Sequence, residues 1–207
     1  MCLKLPKISL KYLKTLTLKS ARNFIPFFSL LPRLETLHLE EIDKLNLNSI
    51  IPKCPKLQLL ELINCQIKLG LTEINNSITE LYFVSKSSVT DLPCRNFFSK
   101  FLGVKNLLVA LSKCQFTSLL FPQNVIVLNL NLPVSILSNS LVNATSISIL
   151  ILTAEFNEFE DDNAEFFSWF ETFLDNRPSH LQQVNTKYVF RDGDQWKILH
   201  GMIPTRR

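Results

Sequence analysis

One short apolar phrase recurs along this chain at a nearly fixed spacing, and that recurrence restricts the possible folds more than any other feature. Residues 31–39 give its clearest copy, Leu-Pro-Arg-Leu-Glu-Thr-Leu-His-Leu. The invariant part is an apolar residue, two variable residues, then an apolar pair flanking one residue. It appears at Leu13, Leu16 and Leu18; at Leu34, Leu37 and Leu39; and at Leu57, Leu60 and Leu62. It returns at Ile78, Leu81 and Phe83; at Val104, Leu107 and Val109; at Val125, Leu128 and Leu130; and at Ile147, Leu150 and Leu152. A degraded eighth copy begins at Leu181 and Val184. The leading residues are separated by steps of 21, 23, 21, 26, 21, 22 and 34.

The physical content of the pattern is an alternation. In a strand, residues two apart lie on one face, so each L-x-L pair points the same way. The apolar residue three positions earlier turns into the same core as the chain enters the strand. One copy alone leaves that face bare, and stacking copies covers it. A period of about 20–29 residues with this pattern is the leucine-rich repeat signature. The expected fold is therefore α/β: a leucine-rich repeat solenoid, with a curved parallel sheet of seven to eight repeats and a C-terminal helix and hairpin cap. The repeats occupy residues 1–155 and the capping region residues 156–207.

The segments between copies carry apolar residues at spacings suited to short helical turns, at 24–28, 45–51 and 97–102. Pro32, Pro55 and Pro122 stand between return and strand, where a helix must stop. After Thr153 the ladder breaks. Asp162 reads as a helix cap, with Glu165 completing a capping box. Phe166, Phe167, Phe170, Phe173 and Leu174, with Trp169 beside them, form the helix's apolar stripe, and Asn176 and Pro178 end it. Asp192-Gly193 between two apolar runs signals a hairpin. Beyond it, Met202–Arg207 reads as a loose tail.

The composition excludes several chemistries. With 4 glycines the chain is poor material for phosphate-cradling loops, and a net charge of +4 is too mild to imply nucleic acid. The charge is uneven: no acidic residue precedes Glu35, while Glu155–Asp175 is crowded with them. Five cysteines without CxxC spacing fit reduced thiols in the cytosol or nucleus. The start of the chain does not read as a signal peptide, so the sequons at Asn75 and Asn143 are read as silent. Ile147–Leu152 is too short to span a bilayer. His38, His180 and His200 lack metal-ligand spacing, and no nucleophile or phosphate motif is present. No enzyme activity, cofactor or metal is expected. Cys65, three residues after an L-x-L, reads as a structural side chain that packs on or bonds the loop backbone.

The residues between the core positions point to the opposite face, expected to be the concave one. The candidate partner-binding residues there are Thr36, His38, Leu59, Glu61, Ile63, Tyr82, Val84, Leu108, Val127, Asn129, Ile149 and Ile151. His38 reads first as an ordinary surface residue and second as a contact residue. The row turns apolar from Leu59 onward. Three readings stand: a partner-binding groove, a surface covered by the C-terminal hairpin or a loop, or a register slip of one residue in some copies.

Residues 31–39 and the run Cys54-Pro-Lys-Leu-Gln-Leu-Leu-Glu-Leu-Ile-Asn-Cys65 resemble the repeats of F-box/leucine-rich-repeat proteins. The resemblance covers about residues 5–155. It implies the substrate-recruiting half of a cullin–RING (SCF-type) ubiquitin ligase, with a cullin–RING adaptor as partner once an F-box is supplied. The F-box helices themselves are not found in this chain. The competing expectations are a free-standing intracellular scaffold and, third, an RNA-binding solenoid.

Overall fold

The structure is a computed structural model. It describes residues 10–21, 31–86, 94–112, 114–142, 144, 146–156, 162–177, 179–192 and 195–204. The expectations placed on residues 1–9, 24–28, 157–161, Asn143, Pro178 and Gly193 lie outside these residues.

Each copy of the apolar phrase forms one strand of a single large sheet. The strands are β1 (Thr15–Lys19), β2 (Thr36–Glu40), β4 (Leu59–Ile63), β6 (Glu80–Ser85), β7 (Asn106–Leu111), β8 (Val127–Asn131), β9 (Ile149–Phe156) and β10 (Gln183–Asp192). All eight are parallel and lie in sequence order, and β11 (Gln195–Pro204) joins antiparallel as the ninth. Corresponding residues stand opposite one another. Leu16, Leu37, Leu60, Leu81, Leu107, Leu128, Leu150 and Val184 make one ladder. Leu18, Leu39, Leu62, Phe83, Val109, Leu130, Leu152 and Thr186 make the next. From β2 to β10 both ladders are buried, as is the entry ladder running from Leu34 to Leu181. A fully buried Leu side chain contributes about 1.5–3 kcal/mol of hydrophobic free energy.

Strand entry follows one hydrogen-bond pattern throughout. The Lys14 carbonyl accepts the N–H groups of both Glu35 (2.8 Å) and Thr36 (2.9 Å). The carbonyls of Glu35, Gln58, Thr79, Lys105, Ile126 and Ser148 each accept two N–H groups from the following copy in the same way. Strand exit is regular in the first half. Ser20, Glu41 and Asn64, each directly after a strand, take the left-handed conformation at φ of 47°, 55° and 51°. Their N–H groups donate to the carbonyls of Glu40, Ile63 and Val84 at 2.9, 2.9 and 2.7 Å. This turn sends the chain away from the sheet and across the core.

The returns form a second, less regular layer. Short 3-10 turns occupy Leu47–Ser49, Ile51–Lys53 and Phe98–Lys100, where helical turns were expected. Two brief strands, β3 (Leu45–Asn46) and β5 (Ile67–Leu69), pair in parallel as a separate sheet, which the apolar pattern did not announce. They are too short to show a period of two. Phe97, Phe98 and Phe101 are buried and pack edge to face with one another and with Phe83, at centroid distances of 5.1–5.8 Å. Helix α1 (Val134–Leu141) buries Ile136, Leu137 and Leu141. Its Ser140 hydroxyl donates to the Ile136 carbonyl (2.7 Å) and accepts the Leu119 N–H (2.8 Å), tying the helix to the preceding loop.

Helix α2 (Asp162–Asp175) closes the C-terminal end of the core. Phe170 is buried, Trp169, Phe173 and Leu174 are partly buried, and the Trp169 and Phe173 rings stack at 5.6 Å. The Asn176 amide donates to the Thr172 carbonyl at 2.9 Å and ends the helix as expected. Asp162 is the first helical residue rather than the residue before it, a one-residue difference at an end where boundaries are soft.

One expectation about the C-terminus is corrected. Met202 and Ile203 are not part of a loose tail, because β11 runs to Pro204 and pairs Ile203 with Val184. The hairpin stands at the end of the sheet, where a cap was expected: β10 pairs with β9 and β11 with β10, so of the three readings of the apolar row, cover by the hairpin does not hold. The sheet is thus continuous across residue 155, and β9 itself extends to Phe156.

Gly103 marks a close backbone approach. A Cβ there would lie 2.2 Å from the Asn76 carbonyl oxygen and 2.7 Å from that of Ile78. Gly103→Ala should therefore destabilise the fold by about 1–3 kcal/mol, read as a lower urea midpoint, because backbone must shift to admit a methyl group.

Candidate functional site

The face of the sheet opposite the core carries three ladders of side chains. The middle one runs Thr17, His38, Glu61, Tyr82, Leu108, Asn129, Ile151 and Asn185. On one side of it run Thr15, Thr36, Leu59, Glu80, Asn106, Val127, Ile149 and Gln183. On the other run Lys19, Glu40, Ile63, Val84, Ala110, Asn131, Thr153 and Lys187.

All twelve candidate residues lie here. Thr36, His38, Leu59, Glu61, Ile63, Tyr82, Val84, Leu108, Val127, Asn129, Ile149 and Ile151 are each half-buried, while their strand neighbours in L-x-L positions are buried. The register is therefore the expected one in every copy from β2 to β9. Half-burial is what neighbouring side chains on a pleated sheet impose on one another.

The three ladders differ along their length. At β1 and β2 the face is polar, and the Lys19 ammonium donates to Glu40 at 2.7 Å; at the strand entries Lys14 meets Glu35 at 3.0 Å. Both pairs are well exposed and worth little to stability. At β4 to β8, Leu59, Ile63, Val84, Leu108, Ala110 and Val127 bring apolar side chains onto the face among Glu61, Glu80 and three asparagines, and Ile149 and Ile151 continue them on β9.

Two carboxylates stand at the near end of this apolar stretch. His38 Nδ1 meets Glu61 Oε2, so this ring nitrogen carries the proton. The Tyr82 hydroxyl donates to Glu80 Oε2 at 2.8 Å. Tyr82 thus sits between two acids. Its phenol is held above its ordinary pKa, first by the bond to Glu80, then by burial and by the negative fields of Glu80 and Glu61. His38 is more than a solitary surface residue, and Glu80 belongs to the cluster although the pattern did not single it out. The signal was present. His38 and Glu61 hold the same place in successive copies, so aligning the copies makes them cross-strand neighbours.

The other expected chemistry resolves as structural. Cys65 is buried and its single S–H is shared between the carbonyls of Leu39 (3.2 Å) and Ile63 (3.4 Å). Cys54 is buried, and loss of hydration pushes its thiol up to about 11. Among the described residues, no group of three or more His, Cys, Asp or Glu is placed to hold a metal ion. No described helix is long and apolar enough to cross a membrane. Comparison with protein-family models, curated protein sequences and solved structures returns no match.

Two outcomes check this description. Glu80→Gln should lower the pKa of Tyr82, visible as earlier phenolate absorbance in an alkaline titration referenced to Tyr82→Phe. Native Cys54 should resist iodoacetamide at pH 8 and react once the chain is unfolded, because the reactive thiolate is scarce and buried.

Proposed function

We propose that this chain is a leucine-rich-repeat solenoid whose sheet face opposite the core, the concave one, binds another protein. The observation that carries the reading is the continuous half-exposed apolar row from Leu59 and Ile63 through Tyr82, Val84, Leu108 and Val127 to Ile149 and Ile151. A contiguous apolar surface is a feature that interaction sites share. Supporting it is the parallel sheet of eight strands in sequence order, compatible with a stack of repeats that presents one long face. The likeness of the copies to those of F-box/leucine-rich-repeat proteins extends the proposal to substrate recruitment for a ubiquitin ligase. Co-purification with a Skp-type adaptor, or its absence, separates that role from a free-standing scaffold.

The face is tested by Tyr82→Asp combined with Leu108→Asp. The pair should abolish partner capture from cell extract and leave the circular dichroism spectrum unchanged. Leu81→Ala, one residue away and in the core, should instead cost about 2–5 kcal/mol of stability. If the double variant unfolds the chain, the positions are core and the face reading fails.

A further inference from the structure

The size, charge and hydrogen-bonding capacity of the same face say what kind of partner it takes. We propose that the β4–β9 surface binds an extended peptide segment with one Lys or Arg at one end and apolar side chains beyond it. This rests on the reading of the face as a binding surface.

Size comes first. From β4 to β9 there are four strand-to-strand steps, about 19 Å at ~4.8 Å each. Leu59 to Ile63 covers about 13 Å along a strand. The patch is therefore about 19 by 13 Å. It matches an extended run of about six residues.

Charge gives the direction. On the patch spanned by Leu59–Ile63 on β4 and Ile149–Thr153 on β9, the charged residues at outward positions are Glu61 and Glu80, both acidic; Glu155 follows at the far end of β9. Beyond β9 the next charge on this face is Lys187 of β10. A bound cation is thus drawn to the two carboxylates at the β4–β6 end. Each carboxylate is held by one oxygen, through His38 or Tyr82, and its Oε1 has no hydrogen-bond partner among the described residues. The acids are oriented by the protein and still have acceptor capacity for a guanidinium or ammonium group. The Tyr82 ring between them offers a surface that such a cation favours.

Hydrogen bonding favours an extended backbone. Asn106, Asn129 and Asn131 project among the apolar residues on β7 and β8, and their side-chain amides bond no other described residue. An amide donates and accepts, so it can bond the N–H and C=O of a strand-like segment, which a helix keeps for itself.

The experiment is selection of immobilised hexapeptides from a positional library by the wild-type chain. The recovered peptides should carry Lys or Arg at one terminal position and apolar residues elsewhere. Fluorescence anisotropy on the best peptide should show about a tenfold loss for Glu61→Gln/Glu80→Gln, and weakening with salt. The same peptide with norleucine in place of its basic residue should bind wild type and that variant equally. Selection of peptides without a basic residue, an unchanged affinity in the variant, or recovery of no peptide would overturn the inference. If non-basic peptides are selected and Leu108→Asp abolishes their binding, the face reading survives and only the cation is wrong. If selected peptides bind Leu108→Asp as well as wild type, the face reading itself has failed.

Discussion

Everything in this structure rests on how one strand is set against the next. At each strand entry a single carbonyl accepts two N–H groups from the following copy, from Lys14 through to Ser148. Those bonds hold the register, and the buried ladders behind them make any other register expensive. A slip of one residue would bring His38 and Glu61 into the core and put Leu37 and Leu60 in water. The hydrogen bonds and the apolar contacts therefore demand the same alignment, which is the consistency that gives a chain one folded state.

The face opposite the core inherits that alignment. Because equivalent positions are stacked, a residue's neighbours on the face are its counterparts 20-odd positions away in the chain. That is how His38 reaches Glu61, and how Tyr82 comes to lie beside both Glu61 and Leu108. Tyr82 and Glu80 meet by the other route, two residues apart on one strand and so on one face. The irregular layer serves the same end from behind. Gly103 lets the loop at Asn76–Ile78 approach, and the Phe83, Phe97, Phe98 and Phe101 cluster fills the space that the longer step between Ile78 and Val104 opens.

The legible parts were those governed by strong local rules. The core Leu positions, the inward role of Cys65, the aromatic stripe of α2 and the hairpin at Asp192 all follow from period and turn chemistry. The strands β3 and β5 were not legible, since two or three residues carry no period. Nor was the order at Met202–Pro204, because that strand is held by its partner β10 rather than by its own pattern. The acid pair around Tyr82 was half legible. Glu61 and Tyr82 were placed on the right face and Glu80 was not singled out, and the bonds among them needed both the register and the side-chain reach.

Read alone, the amino-acid order was enough to say which side chains are buried and which face the other way. Alternation and repeat spacing are properties of the local chain, and they decide that question without distant information. It could not say whether the hairpin would only extend the sheet at its end or also fold over the apolar row, or that His38 and Tyr82 would each secure one carboxylate. Those outcomes depend on contacts between residues far apart in the chain, where many closures are sterically possible and only the packed arrangement selects one.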